Sequence, residues 1–365
     1  MQIVSVSAFE YALSLPRPII LGTTRIETRD VVALAVQTKD GLTGVAIGYT
    51  RGSPLLEALN RLAPRLIGKD AWQRRAILNQ LESSAFPARA QFSRAYSLID
   101  IALWDLACKK TGMPLHAMLG TYREAVAATA VAGYFVQSRT VDDIRAEVKR
   151  RFDDGFVRVK SMINGLNDTT DLELCTALAH DGGRQAIDAH WSWQQLSQAK
   201  TLCSKLDPLG FEFIEDPFPA GNWQSAHELQ LHLNTPLAAG EDVYGLGALA
   251  HLATGIGLLR VDATTCGGIT TAIEAIAAAS AIDRPVFPHV FPALHVHLAC
   301  AYPTIETVEI IPEETEADPL HLILRGEPQL SNGLVKPSEK AGVGFDVDFD
   351  AAARFKRNSF ECVTN

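Results

Sequence analysis

No apolar run in this 365-residue chain is long enough to cross a bilayer, and the opening MQIVSVSAFEY holds neither the basic nor the apolar stretch of a secretory leader. Clustered Lys and Arg are missing too. With a formal net charge of −9, that excludes nucleic acid as a main partner, because neutralising phosphates requires basic residues gathered on one surface. No C-x-x-C occurs among Cys108, Cys175, Cys203, Cys266, Cys300 and Cys362, which lie far apart. Their spacing excludes a disulfide framework or a zinc site built on cysteine pairs and fits reduced, mostly buried thiols. Internal repeats, linkers and biased tracts are absent as well. These absences leave the expectation of a cytoplasmic globular protein, with no nucleic-acid or membrane partner, that acts on a small molecule.

What is present is ordinary in bulk. Apolar residues at 47% and charged residues at 21% can bury a sizeable core. From residue 2 to 50, IVSVSAFEY alternates and RDVVALAVQT runs into the turn Lys39-Asp40-Gly41 before TGVAIGY, which predicts a small antiparallel meander. From Pro54 the period becomes helical, in PLLEALNRLAPRLIG, AWQRRAILNQLE and RAYSLIDIALWDLACKKTG, with stop signals at Gly112 and Pro114. Sheet then helices over 1–124 predicts an α+β domain. Beyond Tyr122, eight short apolar segments alternate with helical stretches: AATAVAGY, GFVRVKSMI, RQAIDAH, GFEFIEDP, TPLAAGED, IGLLRVDAT, RPVFPHVF and TIETVEII. Over 125–327 that alternation predicts an α/β fold closed as a parallel (β/α) barrel, whose active site faces the C-terminal ends of the strands. The tail 328–365, with NGLVKPSEKAGVGFDVD, reads as strand-like and returning to the first domain.

Three acids end three successive predicted strands: Asp188 in AIDAH, Glu215 in FIEDP and Glu241 in AAGED, spaced 27 and 26 residues apart. Each spacing is about one strand-loop-helix unit, so in a barrel the carboxylates converge. Converging carboxylates repel unless a cation sits among them, and an all-oxygen set suits Mg²⁺ better than zinc. The bland alternative is solvated acids or helix caps. The next two strands end in Asp262 and His289, where the carboxylate would hold one ring nitrogen and leave the other to take a proton. Glu309 falls on the eighth strand. It would donate a hydrogen bond to substrate if neighbouring carboxylates raise its pKa, or else be a surface acid.

These residues, with LIDIALWDLACKKTGMPLHAMLG, VDATTCGGIT, PHVF and AGVGFDVD, resemble the enolase superfamily, specifically its mandelate racemase subgroup. The resemblance covers nearly the whole chain. It implies a modified TIM barrel, (β/α)₇β, under an N-terminal α+β capping domain. It also implies Mg²⁺ held by Asp188, Glu215 and Glu241, a His289–Asp262 dyad, Glu309 near a substrate carboxylate, and a homo-oligomer, dimer or octamer.

Two positions depart from that subgroup. It usually carries Lys-x-Lys on the second barrel strand, the first lysine contacting the substrate carboxylate and the second acting as a base opposite the histidine. Aligned without gaps, Lys160 takes the first place and Met162 the second, and a thioether accepts no proton at neutral pH. A rival register makes Arg158-Val159-Lys160 the motif and restores two bases. Two residues after Asp188, where racemases show Asn, stands His190, followed by Trp191. Galactonate-type dehydratases are similar here, their histidine acting as general acid for the departing hydroxyl. The expectation is therefore an acid-sugar dehydratase giving a 2-keto-3-deoxy acid. The alternatives are a racemase, epimerase or lactone cycloisomerase, or a noncatalytic carboxylate-binding descendant. The segment LPRPIILGTTRIET, with Arg17 and Arg25, is expected to close over the site, Arg25 contacting substrate.

Overall fold

The structure, a computed structural model, describes residues 1–21, 24–85 and 87–364. Strands β1 (Ile3–Leu21), β2 (Thr24–Thr38) and β3 (Thr43–Tyr49) form the antiparallel meander. β2 and β3 are joined through Gly41, at φ 86°, with Thr38 Oγ1 donating to Asp40 at 2.6 Å. The β1–β2 register slips between Ser14 and Ile19, the stretch holding Pro16 and Pro18, because proline offers the ladder no N–H. Helices α1 (Leu55–Leu62), α2 (Arg74–Ser84), α3 (Ser93–Thr111) and α4 (Leu115–Leu119) follow, and α3 packs on β3. α3 ends at Gly112, which takes the left-handed φ of 71° that closes a helix.

The eight apolar segments become eight strands: β4 (Val126–Ala132), β5 (Arg158–Met162), β6 (Gln185–Asp188), β7 (Ile214–Glu215), β8 (Leu237–Ala239), β9 (Leu258–Val261), β10 (Val286–Pro288) and β11 (Thr307–Ile310). Neighbours from β4 to β10 pair in parallel, and β11 pairs with β4. A parallel bridge between Val286 and Ile305 closes the seam between β10 and the approach to β11. Between them run α5 (Val141–Asp153), α6 (Asp168–Asp181), α7 (Leu196–Leu206), α8 (Trp223–Gln230), α9 (Leu246–Ala253), α10 (Gly268–Ser280) and α11 (Pro292–Ala301). This is the (β/α)₇β barrel. Ala186, Phe213, Ala238 and Phe287 fill its lumen as a small apolar floor under the mouth.

The tail meets the first domain in short pieces: Gly342 forms a parallel bridge with Pro114, and Val343 N donates to Asp105 Oδ1 at 3.1 Å. Within NGLVKPSEKAGVGFDVD, Leu334–Val335 pairs with β4 of the barrel and Asp346–Val347 with Leu324–Arg325. Pro337, Gly342 and Gly344 interrupt any longer ladder. The strand that does return to the first sheet is Lys356–Val363, antiparallel to β1. It is a largely exposed edge strand, so it lacks the buried alternation that would have announced it. All six cysteines are free, and no helix among the described residues is long and apolar enough to cross a membrane.

The stretch LIDIALWDLA earns its place at the seam between α3 and the barrel. Asp100 is fully buried and accepts hydrogen bonds from Thr270 N at 2.8 Å and Thr270 Oγ1 at 2.7 Å, capping α10 from another helix. The Gly267-Gly268 pair admits this approach: a Cβ on Gly268 would lie 2.3 Å from the Asp100 Cβ. Asp100→Ala strands two buried donors, and we expect a stability loss of roughly 2–4 kcal/mol, on the scale of unsatisfied buried polar groups. Urea unfolding would read it, and a loss under about 0.5 kcal/mol, the range of a neutral surface change, would refute this account of the seam.

Candidate active site

The strand ends bring an acidic cluster together. Met162, Asp188 and Glu215 stand at one level of adjacent strands β5, β6 and β7, and Glu241 lies just past β8. Asp188, Glu215 and Glu241 are all buried. Among the described residues, the acids whose oxygens lie within 4.8 Å of one another are Glu215, Glu241 and Asp216, rather than the expected trio with Asp188. Asp216 joins because its φ of 43° abandons strand geometry, in which neighbouring side chains point to opposite faces. Its carboxylate is held by Trp191 Nε1 at 3.0 Å. Asp188 instead accepts from His190 N at 2.9 Å and pairs with Lys160 Nζ at 3.1 Å.

The cluster is short of positive charge in a telling place. Burial pushes Glu215 up to about 8 against the pull of Arg260 and Lys160, and its Oε2, buried, has no hydrogen-bond partner. Burial also raises Glu241, but His289, Arg51 and Arg260 outweigh it and hold the group well below the usual carboxylate range. Protein cations sit on the other oxygens: Lys160 Nζ lies 2.7 Å from Glu215 and 2.5 Å from Glu309, and Arg51 Nη1 lies 2.8 Å from Glu241. An all-carboxylate, buried set with an orphaned oxygen fits a hard divalent cation such as Mg²⁺.

Past β9 and β10, His289 Nδ1 meets Asp262 Oδ2 at 2.8 Å. Arg51 Nη2 stands 3.1 Å from the other nitrogen, Nε2. Glu241 Oε2 lies 3.3 Å from that same nitrogen; ionised Asp262 only accepts, so the Nδ1 proton goes to it and Nε2 is the nitrogen left to exchange a proton. Asp262 is fixed in turn by Thr264 N and Oγ1, both at 2.7 Å. Burial works to raise Asp262, yet the bond and charge of His289 hold it low.

On β5, Arg158 pairs with Glu212 and Glu306 and touches Thr307, at the start of β11 and away from the mouth. Lys160 and Met162 both line a narrow mouth cavity of about 30 Å³, with Val131, Tyr134, Val290 and Ile311 on its apolar side. Met162 packs with Ile19, Val131 and Tyr134, and three strands lie between β5 and β9 either way around the barrel, so it faces the dyad from across the mouth.

Several expectations need correction. Glu309 is neither a surface acid nor a raised one. It is fully buried, and although burial pushes it up, Arg260 and Lys160 prevail and keep it ionised. His190 is not cationic: burial brings it down to about 4 despite Asp188 and Glu241, so near neutrality its imidazole is uncharged. Its ring lies 4.2 Å from that of Trp191. Arg25 is exposed and paired with Glu27, and although it lines the outer cleft with His190 and Trp191, it reaches none of the acids. Arg17 lies over the Phe135 ring, and within LPRPIILGTTRIET Gly22 and Thr23 lie outside the described residues. What closes on the site from this segment is apolar: Leu15, Ile19 and Ile26.

Two arginines were missed. Arg260 shares the inward face of β9 with Asp262, two residues on, and that two-residue spacing could have revealed it. Arg51 follows β3 at φ 45°, and no local pattern announces that it crosses from the first sheet to the barrel.

Residues 3–120 match the family model described as mandelate racemase / muconate lactonizing enzyme, N-terminal domain, and residues 143–352 match the one described as enolase C-terminal domain-like. The chain is 25% identical to the L-talarate/galactarate dehydratase of Salmonella typhimurium, covering 88% of this chain and 81% of that one. It is also 25% identical to muconate cycloisomerase 1 of Rhodococcus opacus, over 98% and 99%. The solved structure of L-talarate dehydratase from Polaromonas sp. JS666, complexed with Mg and L-glucarate, shares the fold at a TM-score of 0.88 and 23% identity, with 100% of both chains covered.

Proposed function

Since the chain belongs to the mandelate racemase / muconate lactonizing enzyme family of the enolase superfamily, we propose that it is a Mg²⁺-dependent dehydratase. It takes the proton α to the carboxylate of an acid sugar and expels the β-hydroxyl, giving a 2-keto-3-deoxy acid. The observation that carries this reading is Met162, lining the cavity across from His289, where inversion at carbon would require a second proton carrier.

Asp188, Glu215 and Glu241 would hold the metal. A bound Mg²⁺ supplies positive charge beside the carboxylate while its α-carbon loses a proton. Lys160 adds a second cation there, and His289 Nε2 accepts the proton while Asp262 holds the ring. His190, as a neutral imidazole, donates a hydrogen bond toward the departing hydroxyl. The capping domain, 1–124 with 328–365, and the barrel, 125–327, together exclude water from the reaction. Unpaired cysteines fit a reducing compartment, the cytoplasm.

The direct test incubates metal-loaded enzyme with aldonate and aldarate panels in D₂O. Keto acid should form, and recovered substrate should keep its configuration; epimer without keto acid would end the dehydration reading in favour of a racemase. A gain-of-function variant sharpens it. Met162→Lys places an amine across from His289, and since a positioned base contributes typically ~10²–10⁴-fold, epimer absent from the parent reaction should become measurable by chiral chromatography. If the parent already epimerises at the variant's rate, Lys160 is the second base and the two-base register stands.

A further inference from the structure

We propose that Arg260 and Glu309 form a clamp that positions His289, holding the backbone on both sides of it. Arg260 has no exposed surface. Its Nη1 donates to the carbonyls of Phe287 and Pro288, at 3.2 and 3.0 Å, and its Nη2 to Glu309 Oε2 at 2.7 Å. The same Glu309 oxygen accepts from Val290 N at 2.9 Å. One ion pair thus grips residues 287, 288 and 290, leaving the intervening residue 289 to present its imidazole. The Phe287 ring lies 4.2 Å from the guanidinium and supports it from the barrel floor.

The clamp answers a strain. Val290 and Phe291 adopt φ of 39° and 43°, a region that a β-branched residue such as Val290 avoids. This abrupt turn sends the chain from β10 into α11 while His289 still faces Asp262. Without an acceptor for Val290 N and donors for the two carbonyls, the turn would relax and carry the imidazole off its 2.8 Å contact. Arginine suits the position because a planar fork reaches two carbonyls and a carboxylate at once, which an ammonium on a flexible stem does not. Glu309 on this account acts through His289 rather than on the substrate.

The inference rests on His289 being the base, so its test includes a measurement that needs no turnover. In the Mg²⁺-loaded, histidine-labelled protein, the Nδ1 proton of His289, bonded to Asp262, is followed by NMR and assigned by its absence in His289→Ala. Arg260→Met should broaden or shift it, and should lower kcat about 100-fold with KM within roughly threefold, the scale of a base displaced by about 1 Å. Glu309→Gln, which keeps an oxygen for Val290 N, should lose less than Glu309→Leu. Val290→Gly removes the strain, so Arg260→Met should cost several-fold less in that background; if Arg260→Met alone does not fold, the same cycle is run with Glu309→Gln. An unmoved His289 proton with unchanged kcat, or strictly additive losses in the cycle, overturns the clamp. Failure of the parent enzyme to turn over any acid sugar sinks the proposed reaction instead, and the NMR comparison still decides the clamp.

Discussion

His289→Ala should leave a folded, Mg²⁺-binding protein that no longer exchanges the α-proton of any substrate. A positioned general base contributes typically ~10²–10⁴-fold, and with Met162 across the mouth nothing at hand replaces it, so the loss should reach the upper end of that range. The variant is interpretable because its damage is contained. Asp262 Oδ1 keeps the Thr264 N and Oγ1 donors, and Arg51 keeps Glu241 and Asp242, each at 2.8 Å. Asp262 Oδ2 loses its hydrogen-bond partner, at a cost of roughly 1–3 kcal/mol for a stranded buried acceptor, while Arg51 Nη2 and Glu241 Oε2 lose only their contact with the ring. Two readouts separate chemistry from folding: deuterium incorporation at the α-carbon in D₂O, and Mg²⁺ affinity by calorimetry. Exchange persisting at the parent rate would remove the imidazole from the mechanism and direct attention to Lys160.

The barrel was legible because its evidence is periodic and local. Eight apolar segments, each bounded by turn or helical signals, map onto eight strands, and the regular spacing of Asp188, Glu215, Glu241, Asp262 and His289 follows from the repeat length of the fold. Residues that depart from regular geometry were not legible. Asp216 enters the acid cluster only through its positive φ, which no propensity of aspartate between Glu215 and Pro217 dictates. Arg51 reaches the dyad from a loop far away in sequence, and such a contact exists only once the two domains are docked. Glu309 was seen, but its charge state was misjudged because its main neighbour, Arg260, was not. Burial alone pushes a carboxyl up; burial against a fixed guanidinium keeps it ionised. The strand-like tail is broken by its prolines and glycines into two-residue pieces, and it reaches α3 through Val343 N and the Asp105 carboxylate, a contact that no local pattern specifies.

Removing Mg²⁺ should abolish turnover, and restoring it at about 100 times its dissociation constant should stabilise the fold by ~2.7 kcal/mol, provided the unfolded chain does not bind it. The more informative experiment ranks the acids. Spacing along the barrel assigns Asp188 as a ligand, whereas proximity favours Asp216. Asp188 Oδ2 and Glu215 Oε1 share one ammonium, Lys160 Nζ, at 3.1 and 2.7 Å, so a cation already bridges that pair, while Asp216 is committed to the indole of Trp191. Residues that merely support ligands cost 10–100-fold in affinity when replaced. Asp216→Asn, whose amide oxygen can still accept from Trp191, should therefore fall near tenfold, and Asp188→Asn beyond the upper end of that range. Calorimetric titration of both proteins with Mg²⁺ distinguishes the cases without any substrate. The reverse order would mean that the left-handed turn at Asp216 exists to supply a ligand, and that Asp188 serves to seat Lys160 and the peptide of His190.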